Sequence, residues 1–491
     1  MRSLRVLLVL ALLLFTARTL VLAGSRQLES DTLWHIKAGE YMLDQGLVKT
    51  DPFSWTMRGT PWFSHEWLWE VLAAAIYGLG GSTGVWAFNS AWIALFCLVL
   101  FILVRQRCSL ACTARIYVLV VWSSSIVLTA RPHVMALGLF ALWMYLILTS
   151  IASRRHALLY GLPFIAVVWA NVHGSAPLGP ALAAAVWLVS SFSFKNEALM
   201  GTGGTQEWRK HLAVATALSA GASLVNPQGW RLWWYIAAAS QNALITTFIE
   251  EWQSPDFSEM RFWPILLGAV VLVLLLVVRR GRVAVPVLEG LLTLGFFLLC
   301  IRQARHVPYF YFFAALLIGS LTGSQETREE RGLSPLTKAA LVIITAAFLV
   351  LTVRLDPPGW IVRPDGTSDY PVEAVQRIKA MNPPVMRLFN DYYWGGYLIW
   401  EGVSPFIDGR ADMYVFNGDV FNDYMGATLA GQDQRASLGL DKDRGYYLDK
   451  YSVDTILIGC DSSLEWFLRG DSRWQESYRD AKAVIFTRKG N

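Results

Sequence analysis

Charge is what this chain of 491 residues has least of: 16% of it is Asp, Glu, Lys or Arg, against 54% hydrophobic residues. A soluble globular chain carries roughly 25% charged residues, so the polar surface that water requires is missing. The deficit is local, falling in apolar runs such as Leu4–Leu22, Val85–Val104, Phe262–Val278 and Leu336–Val353. These approach the ~20 residues needed to span a hydrocarbon core. Cysteine is also scarce. Cys97, Cys108, Cys112, Cys300 and Cys460 are scattered and form neither a disulfide framework nor a cysteine zinc pattern. Internal repeats and low-complexity segments are absent from the sequence as well. The formal charge of +5 is no nucleic-acid signature, because the basic residues sit in short clusters between apolar runs.

What is present is a series of apolar runs, which predicts eleven membrane spans near residues 4–22, 83–104, 111–130, 134–152, 157–171, 176–194, 211–225, 262–278, 284–301, 307–323 and 336–353. The first reads as an uncleaved span rather than a signal peptide, because the apolar run is long. Alternate connections are basic at Arg105/Arg107, Arg154/Arg155, Lys195 with Arg209/Lys210, and Arg279/Arg280/Arg282, and the last of the set, Glu326 to Lys338, is mixed, with three glutamates among its bases. The loop at 24–82 on the other side is acidic. By the positive-inside rule the N-terminus is cytoplasmic. An odd number of spans then places residues 355–491 outside. The segment 66–80 reads as an interfacial helix. The expected organisation is therefore a transmembrane domain over 1–354, with a first extracytoplasmic loop at 24–82, and an extracytoplasmic α/β domain over 355–491. In that domain Val385–Phe389, Val453–Leu457 and Ala483–Thr487 read as strands, and Val372–Ala380 and Ser463–Leu468 as helices.

Polar chemistry is concentrated on one side. His35, His65, His133, His173 and His306 map to the outer face, and only His156 and His211 to the inner. Outer connections carry Arg131-Pro-His133, Trp169-Ala-Asn171-Val-His173, Asn226-Pro-Gln-Gly229, Glu250-Glu251-Trp-Gln-Ser-Pro255 and Arg302-Gln-Ala-Arg305-His306, whereas inner loops read as plain basic anchors. Ionisable groups at membrane depth face a cavity or each other, so this distribution predicts a polar cavity opening outward. In the first loop, Asp31 reads as the N-cap of a helix running to about Asp44, with His35 on the same face. Carboxylates there suit deprotonation of an acceptor hydroxyl or amine, and a carboxylate–His set suits a divalent ion. Arg302 and Arg305 suit a phosphate held through fork-like hydrogen bonds. An anion site beside an acid/base carboxylate is what transfer from a polyprenyl phosphate needs.

The spacing Asp31-x3-His35-x3-Gly39-x6-Gly46, then Thr50-Asp51-Pro, Gly59-x-Pro61-Trp62 and Glu66-Trp67, resembles the first loop of GT-C superfamily glycosyltransferases. It is most similar to the lipid A aminoarabinose transferase and protein O-mannosyltransferase group, and to an uncharacterised bacterial branch. The specific likeness covers roughly residues 29–67. It implies a polytopic α-helical membrane protein of GT-C type with a C-terminal extracytoplasmic α/β domain. It also implies Asp31 as base or acceptor-binding carboxylate and Glu66 as a second catalytic acid. Thr32 stands where the mannosyltransferases have a second acid, and the Lys-Pro-Pro of the aminoarabinose transferases is absent.

Asn390-Asp391-Tyr-Tyr-Trp394-Gly-Gly396 followed by Phe406-Ile-Asp408-Gly-Arg410 is similar to the Trp-Trp-Asp-Tyr-Gly region of oligosaccharyltransferases. A plainer reading makes it a strand–turn–strand with core aromatics.

The expected activity is transfer of a sugar from a polyprenyl-phosphate-linked donor to a glycan, lipid or protein acceptor, at the outer face of a bacterial inner membrane. His35, Asp51, His133, His173, Glu250, Arg302, Arg305, His306, Asp391, Trp394, Asp408 and Arg410 are the expected substrate-binding residues. Glu66 and His65 are the expected ligands of a divalent metal. The alternatives are a lipid-linked sugar transporter or flippase, a surface-polysaccharide ligase, and a non-enzymatic assembly component.

Overall fold

A computed structural model describes residues 29–62, 64–124, 128–192, 205–279, 285–329, 370–382 and 384–490, together with Leu12 and Thr16. Apart from these two residues, the expected spans 4–22 and 336–353 lie outside the described residues, as does the expected domain boundary at 354/355. The remainder forms two compact units. One holds the described residues of Val85–Asn242 and Thr246–Ile361, the other those of Leu28–Gly84, Ala243–Ile245 and Val362–Asn491.

The first unit is helical, and each of the nine other expected spans coincides with helix. Among the described residues, three helices are long and apolar enough to cross a membrane: Trp67–Arg105, Pro132–Ser153 and Ala304–Gly323. Four shorter apolar helices accompany them, at Leu110–Ser124, His156–Val172, Leu178–Ser191 and Trp263–Arg279. Phe310, Tyr311, Phe312 and Phe313 are all fully buried, and Phe312 meets Phe140 edge-on at 5.0 Å. Gly268 lets Tyr311 come close, since a Cβ there would lie 2.9 Å from its ring. The far side of Trp263–Arg279 exposes Leu266, Leu267, Val270, Val273, Leu274, Val277 and Val278. Soluble monomers rarely expose so large a contiguous apolar face; hydrocarbon is its solvent. The chain is an integral membrane protein.

Trp67–Arg105 is two helices joined at Gly81, whose φ of 57° and ψ of −151° are available to glycine and strained for other residues. The part before the kink belongs to the second unit, and the apolar part after it is the membrane span. Helices at Arg231–Gln241 and Ala243–Phe248 fall in a connection that reads as loop from its Asn226-Pro-Gln-Gly229 turn. Their exposed Trp233 and Trp234, with Trp230 just before, suit the polar–apolar boundary of a bilayer.

The second unit is built on a four-stranded sheet of order β1-β2-β4-β3. β1 is Leu388–Asn390, β2 Thr455–Gly459, β3 Trp474–Arg479 and β4 Ala483–Arg488. β1 and β2 are parallel, with Leu388 opposite Thr455, and the other pairings are antiparallel. β3 is not apparent in the sequence because Trp-Gln-Glu-Ser-Tyr-Arg is a polar edge strand, with one buried residue. Leu33 of the first loop joins Ala374, Val375, Ile378, Leu388, Leu398, Leu457 and Ile485 in one core. The first loop and the C-terminal segment thus fold as one body. Trp55 donates its indole N–H to the Leu388 carbonyl at 2.9 Å, and the Thr56 hydroxyl donates to that of Phe406 at 2.5 Å.

Candidate active site

Asp31 lies inside the helix Ser30–Gln45 rather than capping it. Glu29 holds the N-cap position without a side-chain cap bond, and the Asp31 carboxylate instead accepts the Trp34 indole N–H at 3.1 Å. Half-buried, it remains on the face that carries His35 one turn on. The His35 ring stacks on Trp34 at 3.6 Å, with Nδ1 3.0 Å from Glu70 Oε1 and Nε2 3.6 Å from Glu66 Oε2. Ser64 donates to the other Glu70 oxygen at 2.7 Å, and His65 Nε2 lies 3.7 Å from Glu66.

A row Ser64–Glu70–His35–Glu66–His65 results. Burial pushes the Glu70 carboxyl up to about 7, against the opposing pull of the Ser64 hydroxyl, His65 and Arg410. Sequence reasoning missed Glu70. The available signal was its place four residues after Glu66, where a helix presents both carboxyls on one face.

The second motif docks against this helix. Asn390 ends β1, and the chain then makes a 3-10 turn at Tyr392–Trp394 and a short helix at Gly395–Trp400, not the expected strand–turn–strand. Glycine explains the difference, because both Gly395 and Gly396 sit against backbone. A Cβ on Gly396 would fall 1.9 Å from the Ser30 carbonyl, and its N–H donates to Ser30 Oγ at 3.0 Å. Gly409 seats the Asp31 carboxylate itself, since a Cβ there would lie 1.9 Å from Oδ1.

Asp51, Asp408 and Arg410 are buried and bonded to one another. Arg410 donates to Asp51 at 2.7 Å and to both Asp408 oxygens at 2.8 and 2.6 Å, while the Tyr414 hydroxyl donates to Asp408 at 2.6 Å. Trp62 lies under the guanidinium at 4.5 Å. Asp51 also accepts the Phe53 and Ser54 amides, which turns the loop at Asp51-Pro. Asp391 accepts the Tyr393 amide at 3.1 Å, and burial raises its carboxyl above the ordinary value. Trp394 packs on the core that contains Leu33. The Tyr392 hydroxyl is held well above its usual range by burial and by the carboxylates of Asp31, Asp408 and Asp412.

In the helical unit the expected span-end clusters converge separately. Arg131 lies 3.6 Å from Glu251, and the Arg305 guanidinium lies 4.1 Å above the Trp252 ring. Burial works to raise the Glu251 carboxyl, but Arg305, Arg131 and His133 outweigh it and hold the group low. Glu250 starts the same 3-10 turn. Arg302 lines a cavity of about 240 Å³ with Ser240, Gln241, Thr246, Trp252, Ser254 and Gln303. His173 Nδ1 pairs with Ser175 at 2.8 Å, Ser175 also bonds Tyr309, and the His306 ring lies 6.2 Å from that tyrosine. Asn171 reaches the Val225 carbonyl at 2.7 Å.

Among the described residues, three metal-ligand atoms lie within 4.8 Å of one another at His156, Glu207 and His211, and not at Glu66 and His65. The expected pair offers two ligand side chains with His35 beside them. This is a partial donor set.

No protein-family model matches the sequence, nor does any curated protein. Solved structures do. An oligosaccharyltransferase of Archaeoglobus fulgidus, tethered to an acceptor peptide, superposes with a TM-score of 0.55 at 11% identity, covering 92% of this chain and 69% of that one. The same protein with an inhibitory peptide and a dolichol-phosphate gives 0.53 at 12%, again covering 92% and 69%. ArnT of Cupriavidus metallidurans gives 0.53 at 15%, covering 96% of this chain and 97% of that one. The fold is that of the GT-C membrane glycosyltransferases.

Proposed function

We propose that this protein is a GT-C-type glycosyltransferase that moves a sugar from a polyprenyl-phosphate-linked donor to an acceptor at the extracytoplasmic face of a bacterial inner membrane. The observation that carries the reading is the Asp31 carboxylate, seated on Gly409 and next to the Glu66–His35–Glu70 row, in a chain of this fold. The archaeal protein's dolichol-phosphate and acceptor peptide support the substrate class.

Asp31 takes the proton of the acceptor hydroxyl or amine as that atom attacks the anomeric carbon. The bond from that carbon to the phosphate oxygen breaks with inversion, and its electron pair leaves on the phosphate. Arg302 and Arg305 of the helical unit suit a phosphate through charge-assisted hydrogen bonds, with His306, His133, His173 and Glu250 as the further polar groups of that unit. Glu66 with His65 would hold a divalent ion if one is used, and such an ion would supply positive charge to a leaving phosphate. Asp391 and Trp394 offer a carboxyl and an aromatic face to a sugar or acceptor. Asp51, Asp408 and Arg410 act on substrate through the position of the first loop.

The test is transfer of radiolabelled sugar from a polyprenyl-phosphate donor extract by the purified protein and its Asp31→Asn variant. Transfer that the variant loses supports the reading. Donor binding without transfer in either protein moves it to a lipid-linked sugar transporter, and transfer that survives in Asp31→Asn moves it to a ligase centred elsewhere.

A further inference from the structure

The two histidines left out of the catalytic reading come together. His156 opens the 3-10 helix His156–Gly161, and Glu207 and His211 lie one turn apart on the helix Gln206–Ala222. Their rings and carboxylate place three ligand atoms within 4.8 Å of one another, and the two imidazole centroids are 5.0 Å apart. We propose that His156, Glu207 and His211 form a binding site for a borderline divalent transition metal, zinc foremost, with a fourth position open to solvent.

The support is geometric and chemical. Two imidazoles and a carboxylate are a donor set that zinc takes, at about 2.0–2.2 Å per ligand. Four tetrahedral ligands at that radius stand about 3.3 Å apart, so a trio already within 4.8 Å has little left to close.

The scaffold is fixed before any ion arrives. Thr205 caps the helix by accepting the Trp208 amide at 3.1 Å, and the buried Trp208 donates its indole N–H to Ser150 at 2.9 Å. Leu159, three residues after His156, is fully buried. The Tyr160 hydroxyl lies 2.8 Å from His211 Nδ1 and fixes that ring from outside the trio, as a ligand histidine's second nitrogen is commonly fixed.

Charge separates in the same way. Arg209, between the two helix ligands in sequence, is turned away to the Ser190 carbonyl at 3.2 Å. Lys210 is exposed, as are Arg154 and Arg155 ahead of His156. The carboxylate and the two imidazoles are thus grouped with the neighbouring basic side chains directed elsewhere. This site does not depend on the proposed transferase activity. By the charge pattern, it lies on the opposite side of the membrane.

The experiment uses full-length protein with any affinity tag removed. Zinc alone is titrated by calorimetry, and cobalt alone is followed by its visible absorption. The expected result is one ion per chain, a tetrahedral cobalt spectrum, and binding weakened at least ~10-fold in both Glu207→Gln and His211→Asn. Glu207 is exposed, so its variant should keep the wild-type unfolding midpoint in the absence of zinc. Glu66→Gln probes the other proposed divalent pair separately, and the ion that Glu207→Gln and His211→Asn lose should remain in it. Absence of binding, or stoichiometric binding that persists in both trio variants or follows Glu66 instead, overturns the proposal.

Discussion

Glu70 is fully buried, with the Ser64 hydroxyl on one oxygen and the His35 imidazole on the other, and burial pushes its carboxyl up. Its folded value of about 7 stands above the ordinary 4.5. The proton it keeps therefore contributes stability that is complete below the ordinary value and lost as pH rises through the folded one. The unfolding midpoint in detergent is expected to fall between roughly pH 5 and pH 8, and Glu70→Gln should flatten that fall. A profile unchanged by the substitution would assign the slope to other groups.

Gly409 sets a second test. A Cβ there meets only the end of the short Asp31 side chain at 1.9 Å, with the Trp34 indole nitrogen at 3.1 Å. Gly409→Ala should therefore displace the carboxylate while leaving the fold intact. A misplacement of this size costs on the order of 100-fold in turnover, read as lost transfer at an unchanged unfolding midpoint.

Elements dock here through glycine. Gly39 lets the helix Ser30–Gln45 lie on the backbone of the next helix, where a Cβ would fall 2.0 Å from the Glu70 carbonyl. Backbone cannot swing aside as a carboxylate can, so Gly39→Ala and Gly396→Ala should each cost more than the ~1–3 kcal/mol of ordinary overpacking. Lower unfolding midpoints would register it. Arg410→Ala leaves two buried carboxylates unpaired and should cost about 3–5 kcal/mol, with partial recovery when Asp408→Asn is added.

The sequence carried the elements better than the site. Apolar runs marked nine described helices, and three strands stood out where Val and Ile cluster. The expectation that the first loop groups carboxylates with histidines is met where His35 lies between Glu66 and Glu70. Glu70 was marked only by its place four residues after Glu66, and its raised value is a property of burial that no local pattern encodes. The pairing of His156 with Glu207 and His211 was not legible, since ~50 intervening residues hide it until two helices pack. The glycines at 395–409 were legible as positions of tight packing, while their partner in the first loop was a fact of tertiary structure.

At the scale of the whole molecule, sidedness is what the charge alternation proposes. Of the cysteines, Cys97, Cys108, Cys112 and Cys300 are buried and Cys460 is partly exposed. An impermeant maleimide should therefore label Cys460 in right-side-out membrane vesicles without permeabilisation. Burial, with Glu465, Asp480 and Asp461, outweighs Arg479 and raises this thiol, so labelling should quicken as the medium is made alkaline. Labelling that requires permeabilisation would place the C-terminal domain on the other side.

The bond from Gly396 to Ser30 joins residues 366 positions apart. During synthesis the first loop emerges early and must wait for the last quarter of the chain before its central carboxylate has a seat. On the proposed function, a nascent chain can thus occupy the membrane without being competent to transfer. Two separately expressed fragments that reassemble should regain that competence, and the N-terminal one alone should lack it.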